Sequence, residues 1–509
     1  LKYGTWLKDT KAKWVSRVAM LSFLSFSCVF VTNVLFASDA FKEHQLFGYL
    51  GLVFYFAFAI MFIKQMYAIP QKTPLKLTKR MFRLYVMLFL LYLVINFTFL
   101  MLALEWSYNT IIFANIRSSI IALFPILIPI IVPLANILML PIEKLIQLIY
   151  KNACKKKLEK RKDLIKIGIT GSYGKTSTKV FLTKFLETKF KVCASPSSYN
   201  TPMGITKVVL KQLKPDDEVL IVEMGAKKVG EIKELCDMIK PNAGIITSVG
   251  EQHLDSFKSL DNILNTKFEL VEALNENDVC VFNCGNENTE KLYKRCKLKN
   301  KFSVCGNTGK LKAKEIVAKE DGLDFVLCYK NDEYPVHTKI LGEHNIQNIL
   351  CAVAMALKLG VSIETILGVI PTLESAEHRL ELKKLENNVL IIDDSFNSNI
   401  QGTAVALETL KLFDDRRKIV VTPGLVELGK RENVENVELG KRIAKVADLV
   451  ILVNKNQSEN IKKGLLDAGF DESKIFMQDS LFEVTNQFKT LLKNGDVVLL
   501  ENDLPDNYK

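Results

Sequence analysis

Residues 168–177 read Gly-Ile-Thr-Gly-Ser-Tyr-Gly-Lys-Thr-Ser, glycines at three-residue spacing followed by a lysine and two hydroxyl residues. They follow an apolar run, Ile165–Thr170, and open an amphipathic stretch, the strand–loop–helix setting a phosphate loop needs. Gly171 and Gly174, with Ser172 between them, let backbone N–H groups point inward at phosphate oxygens. The N-terminus of the following helix adds positive potential there. Lys175 is placed to neutralise the β- and γ-phosphates of ATP, and the Thr176 hydroxyl, with Ser177 beside it, to ligate Mg²⁺ or Mn²⁺. The general pattern carries Gly where Ile169 stands, so this loop is a shortened variant.

A loop of this kind needs a sheet behind it, and the sequence from residue 164 supplies one. Ile165–Thr170 reads as a buried strand, 176–189 as a helix, Val219–Val222 as a second strand and 230–239 as a helix. Residues 243–248 read as a strand, 262–274 as a helix, 303–341 as several short strands and 344–359 as a helix. Such alternation predicts an α/β domain with a mainly parallel sheet over 164–372. A second α/β rhythm fills 373–509, with strands near 388–393, 418–422, 448–453 and 496–500, the size of a small Rossmann-like domain.

The first 150 residues have a different texture. The 509-residue chain is 49% hydrophobic, and the excess is concentrated here. Runs at 14–37, 46–69, 83–104 and 118–141 are each long enough to cross about 30 Å of hydrocarbon as a helix. Pro125, Pro129 and Pro133 predict a bend in the last of them. Lys2, Lys8, Lys11 and Lys13 precede the first run; Lys72, Lys76, Lys79, Arg80 and Arg83 lie between the second and third. Lys151, Lys155, Lys156, Lys157, Lys160, Arg161 and Lys162 follow the fourth. The remaining loops are poor in basic residues, so the alternation predicts a four-helix, multi-pass inner-membrane region with both its flanks in the cytoplasm. Residues 151–163 read as a basic linker, a helical continuation lying near the membrane surface. The net charge of +12 is then a topology signal with membrane lipid as the nearer partner, and no nucleic-acid role is expected. Ten cysteines without a CxxC pair fit a reducing compartment.

Further motifs follow the phosphate loop in a fixed order. They are Ile221-Val222-Glu223-Met224-Gly225-Ala226, Ser248-Val249-Gly250-Glu251-Gln252-His253-Leu254-Asp255, Leu341-Gly342-Glu343-His344-Asn345-Ile346-Gln347-Asn348, Glu377-His378-Arg379-Leu380-Glu381 and Asp393-Asp394-Ser395-Phe396-Asn397-Ser398-Asn399. With the loop they resemble the signatures of the Mur ligases over residues 164–509, nearest to the branch that adds D-alanyl-D-alanine. The resemblance implies a central ATP-binding domain and a C-terminal ligase domain. It implies Glu223 and His253 as metal ligands and Lys267 as a carbamylated lysine whose carbamate oxygen binds a second metal. It places Asn345 and Asn348 at the nucleotide and the hinge, Arg379 at the transferring phosphoryl group, and Asp394 near the ribose. Taken alone, Lys267 reads as a solvated helix lysine and His253 as an ordinary loop histidine. His378 reads as structural.

The match has departures. Mur ligases carry an N-terminal UDP-binding domain, where this chain has the four apolar runs. Val421-Thr422-Pro423-Gly424-Leu425-Val426-Glu427-Leu428-Gly429 differs from the adding enzyme's Gly-Asp-Met version, and Ile400 stands where Pro follows Asn399. The expected function is an ATP-dependent acid–amino-acid ligase of cell-wall or surface-polymer synthesis. It activates a carboxylate as an acyl phosphate and adds an amino acid or dipeptide, with the acceptor lipid-linked or otherwise presented at the membrane. The competing expectations are a polyglutamate-type synthase and a P-loop ATPase powering membrane transport.

Overall fold

The structure, a computed structural model, describes residues 77–105, 110–196, 199–250, 252, 254–305, 309–396, 400–426, 428–453, 455–478, 484, 488 and 491–502. The runs at 14–37 and 46–69, and His253, lie outside the described residues. The chain divides into two compact units between Gln147 and Leu148.

In the first unit, α1 spans Lys79–Glu105 and takes in the third apolar run. The fourth lies in α2, Thr110–Glu159, which passes through its three prolines as one helix and continues into the second unit. Arg83 joins the two helices, its Nε 2.8 Å and its Nη2 2.7 Å from Glu143 Oε1. Phe89, Leu93, Val94 and Phe97 on α1 and Ile137, Leu138 and Leu145 on α2 are exposed. Helices of a water-soluble bundle turn such a stripe toward a core. Among the described residues, one stretch, Ile131–Glu159, is long and apolar enough to cross a membrane by length and composition.

The second unit is built on two sheets. The first contains β1 (Ile165–Thr170), β2 (Val192–Ala194), β3 (Val219–Glu223), β4 (Ala243–Ile246), β5 (Val279–Asn283), β6 (Asn300–Val304), β7 (Leu311–Lys319), β8 (Gly322–Tyr329) and β9 (Asp332–Thr338). Their order is β2-β3-β1-β4-β5-β6-β7-β8-β9, parallel through β7 and antiparallel beyond it. All five residues of β3 are buried, as expected of a parallel strand covered on both faces. The helices that cover this sheet include α3 (Lys175–Leu186), α4 (Pro202–Lys211), α5 (Glu231–Ile239), α6 (Leu260–Glu272) and α7 (His344–Lys358). The α7 helix is buried along almost its whole length and packs with Phe181, Leu182 and Phe185 of α3 in one core.

The second sheet has strands β10 (Glu381–Lys384), β11 (Leu390–Asp394), β12 (Lys418–Thr422), β13 (Leu449–Val453), β14 (Ile475–Gln478) and β15 (Val497–Glu501). Their order is β10-β11-β15-β12-β13-β14, and β10 alone among them runs antiparallel. The strands β11, β15, β12 and β13 therefore end on one side, where open α/β sheets bind ligands.

Residues 151–163 continue the helix, as expected, as far as Glu159, but this end is docked and is not a free linker. Cys154 and Leu158 are buried in a core with Ile205, Val209, Leu235 and Ile239. Lys157 Nζ donates to the carbonyls of Val209 and Leu213, both at 2.8 Å, at the C-terminus of α4, where unpaired carbonyls favour a cation. Lys151 pairs with Glu234 on α5. Leu158→Ala should destabilise this unit by about 2–5 kcal/mol, the range for truncating a buried leucine. Thermal denaturation reads the effect, and an unchanged midpoint would show that the contact is not made.

Candidate active site

Parallel pairing of β1 with β3 puts Ile169 beside Glu223, so the glycine loop and this carboxylate leave the sheet at the same edge. The loop turns through Gly171 and Gly174. At Gly174 φ is +79°, and a Cβ would lie 2.1 Å from Asn348 Oδ1; at Gly171 it would lie 2.0 Å from Thr247 Oγ1. Glycine is required at both by close approach as well as by backbone conformation. The segment after β4 backs the loop: Ser172 N and Tyr173 N donate to Ser248 O at 2.8 and 3.2 Å, and Ser172 Oγ to Gly250 O at 2.9 Å.

No side chain caps the N-terminus of α3, so its first-turn N–H groups face the loop, ready for an anion. Lys175 Nζ folds over the loop onto the carbonyls of Gly171, at 2.8 Å, and Ser172, at 3.0 Å. Burial in the crevice lowers the pKa of Lys175; Glu223 opposes the shift and Arg379 adds to it. The next residue, Thr176, donates its hydroxyl to Glu223 Oε2 at 2.8 Å. Ser177 is buried in the same first turn.

Glu223 is 2% exposed and well partnered. Besides Thr176 it accepts from Asn200 Nδ2 at 3.2 Å, and Lys179 Nζ lies 3.7 Å from its Oε2. Ser195 Oγ accepts from its backbone N–H at 3.3 Å. Lys179 and Asn200 belong to the site but were not singled out from sequence. Lys179 could have been, because it stands four residues after Lys175 and shares a helix face with it. Asn200 lies on the loop leading to α4, with no local pattern to mark it.

Lys267, on α6, is 3% exposed and makes no hydrogen bond or ion pair among the described residues. It is therefore not the solvated helix lysine that its sequence context suggests. Burial, reinforced by the Lys175 charge, lowers its pKa to about 7. His253 lies outside the described residues.

Asn345 and Asn348 occupy the first turns of α7, and both are buried. Asn345 Nδ2 donates to Leu341 O and Asn348 Nδ2 to Asn345 Oδ1, each at 2.9 Å, while Asn348 Oδ1 lies 3.5 Å from Thr178 Oγ1. Their amides are occupied within the protein, bracing the glycine loop and the 341–345 turn.

From the second sheet, Arg379 reaches the same crevice. Burial lowers its pKa, offset by the Asp394 and Glu223 carboxylates. Its guanidinium lies 4.6 Å from the centre of the Phe396 ring. Asp394 Oδ1 accepts from Leu380 N at 3.1 Å. Burial lifts the Asp394 carboxyl to about 6, against the pull of Arg379 and of the Leu380 N–H. His378, read as structural, bonds Asp393 at 2.8 Å.

Lys175, Thr176, Glu223, Lys267, Arg379 and Asp394 thus gather at one crevice, with Lys179 beside them. Cationic side chains, a glycine loop and a helix N-terminus suit a polyphosphate. Thr176 and Glu223 supply hard oxygen donors side by side, the type Mg²⁺ requires, so the residues present fit that ion.

Residues 169–356 match the Mur ligase middle domain, and 378–501 the Mur ligase, glutamate ligase domain. The chain is similar to UDP-N-acetylmuramoyl-tripeptide–D-alanyl-D-alanine ligases. It is 29% identical over 279 residues to that of Bacillus subtilis (strain 168), covering 55% of this chain and 60% of the relative. With that of Mycobacterium tuberculosis (strain ATCC 25618 / H37Rv) it shares 28% identity over 356 residues, covering 66% and 69%. Among solved structures, MurF ligase from Thermotoga maritima in complex with ADP superimposes with a TM-score of 0.61 at 25% identity, over 70% of this chain and 80% of that one. The chain thus spans less than two thirds of the length of the Bacillus relative.

The buried amine of Lys267 has a consequence for stability. Its folded pKa of about 7 lies below the usual lysine value of about 10.4. Between those limits the unfolded chain binds more protons, so Lys267 adds stability as pH rises from 7 toward 10.4. Below pH 7 the folded state carries the full cost of a buried ammonium. Lys267→Met should therefore raise the thermal midpoint more at pH 6 than at pH 9. An equal change at both pH values would show that this amine is not desolvated.

Proposed function

We propose, for a chain that belongs to the Mur ligase family by its middle and C-terminal domains, that it is an ATP-dependent ligase forming an amide bond in cell-wall polymer synthesis. The observation that carries the reading is the meeting of Lys175, Glu223, Lys267 and Arg379 at the glycine loop. An acceptor carboxylate attacks the γ-phosphorus of ATP, giving an acyl phosphate and ADP. The amine of an amino acid or dipeptide then attacks the acyl carbon and phosphate leaves. The names of its relatives favour D-alanyl-D-alanine as the added group.

Each residue's part follows from its place. The loop N–H groups and Lys175 hold the β- and γ-phosphates, for which Lys175 gives up its two carbonyl contacts. Arg379 brings positive charge from the second sheet to the transferring group, where phosphoryl transfer gathers it. Thr176, Glu223 and His253 would hold Mg²⁺, and a carbamate on Lys267 would offer an oxygen to a second metal ion. The chemistry such an ion would supply is to offset charge on the phosphate oxygens. Carbamate formation joins the Lys267 nitrogen to the carbon of CO₂ with loss of a proton, and it requires the neutral amine. A pKa of about 7 leaves about half of that amine neutral at pH 7 and most of it neutral a unit higher. The crevice between the sheets keeps water from the acyl phosphate.

We place the catalytic unit in the cytoplasm and the N-terminal region in the cytoplasmic membrane, with a membrane-presented acceptor. Support comes from the alternation of basic loops and from the exposed apolar faces of α1 and α2.

Two measurements test this reading. With the full chain in lipid nanodiscs, ADP release should require D-alanyl-D-alanine and an acceptor and should vanish in Lys175→Ala. Comparison of a lipid-linked muramyl peptide with its UDP-linked counterpart decides the acceptor: equal or better use of the soluble one leaves the spans as an anchor. Separately, ¹³C-bicarbonate should give a carbamate NMR signal that grows as pH rises through 7 and is absent in Lys267→Ala. Without that pH-dependent signal, Lys267 is not carbamylated.

A further inference from the structure

Arg379 sits in an unusual piece of backbone. His378 and Leu380, on either side of it, both have positive φ, +60° and +46°, a conformation that strains a non-glycine residue. Such a conformation persists only where its surroundings hold it, and here the end of β11 does so. Asp393 Oδ2 lies 2.8 Å from His378 Nδ1, and Asp393 Oδ1 accepts from Ser395 Oγ at 2.6 Å and Ser395 N at 3.3 Å. His378 N donates to Glu381 Oε2 at 3.1 Å, and His378 O accepts from Phe396 N at 3.3 Å. Phe396 in turn lies against the Arg379 guanidinium.

The side chains of His378, Glu381 and Asp393 also lie close enough together to hold a metal ion. The place of a cation is already taken: Lys383 Nζ is 2.7 Å from Asp393 Oδ2 and 3.0 Å from Glu381 Oε2. A divalent ion would have to expel that ammonium, so the cluster is an ion-pair network built round a carboxylate that is 5% exposed.

We propose that Asp393 is a positioning residue: through His378 and Ser395 it fixes the backbone that aims Arg379 into the crevice. The Asp393 carboxylate is spent on His378, Ser395 and Lys383, so its effect on the reaction passes through Arg379. The inference rests on the reading of Arg379 as the group serving the transferring phosphoryl.

The test is a cycle on the full chain with Asp393→Asn, Arg379→Ala and the double variant, measuring kcat, KM for ATP and thermal midpoint. His378→Ala, a half-exposed change that cuts the same link, stands in if Asp393→Asn fails to fold. Asp393→Asn or His378→Ala should lower kcat by about 10²-fold, the effect of losing one charge-stabilising group. KM for ATP should stay within about threefold, because the glycine loop is untouched. Adding either change to Arg379→Ala should cost nothing more, since residues acting as one unit are not additive. Multiplying losses, or full activity in both link variants, overturn the proposal. An Arg379→Ala enzyme with normal kcat would instead overturn the role given to Arg379 in the reaction.

Discussion

Much of the catalytic unit depends on one buried carboxylate. Glu223 ends β3 and is held by Thr176 of α3, Asn200 of the loop before α4 and Lys179 one turn further along α3. A lone ionised carboxylate in a protein interior costs several kcal/mol, so these partners must stay in place for the strand end to remain buried. The same contacts fix where α3 starts, and hence where the glycine loop can turn. Asn348 closes the loop from the opposite side, against Gly174. Glycine loop, buried carboxylate and α7 are therefore one mechanical assembly.

How much of this could be read from the chain varies with the kind of interaction. The strands β1, β3, β4, β12, β13 and β15 announced themselves as short apolar runs because they are buried on both faces. By contrast β10 reads Glu-Leu-Lys-Lys and lies at a sheet edge, while β14 at the opposite edge carries exposed Phe476 and Met477. Neither has the periodicity of a covered strand, and β2 has only three residues. The strand β5, Val-Cys-Val-Phe-Asn, was legible and was missed.

The site divides in the same way. Lys175 and Thr176 were legible because a phosphate loop is local: its glycines, lysine and threonine are chain neighbours. Lys267 was found only through family resemblance, since nothing near it in sequence shows that α6 turns that face inward. The mutual bond of Asn345 and Asn348 follows their helical spacing, but the approach of Asn348 to Thr178 of α3 spans 170 residues. The docking of Cys154 and Leu158 was hidden for a related reason. A lysine-rich stretch looks solvated, yet Lys157 spends its charge on carbonyls at the end of α4, and the apolar residues between the lysines face a core.

The crevice is built at an electrostatic cost. Burial lowers the pKa of Lys175, Lys179, Lys267 and Arg379, and Lys175 and Arg379 push against one another, as do Lys175 and Lys267. Glu223 and Asp394 offset part of this, but Asp394 is itself pushed toward its neutral form. A folded protein tolerates such crowding when a polyanion binds there, because ligand binding adds directly to the stability of the folded state, by about 2.7 kcal/mol at a hundred times Kd. Lys175 lies on its own loop carbonyls, while burial lowers the pKa of Lys267. Two lysines of one crevice thereby differ in their surroundings: Lys175 is held by loop carbonyls, and Lys267 is buried on α6 with no hydrogen bond among the described residues.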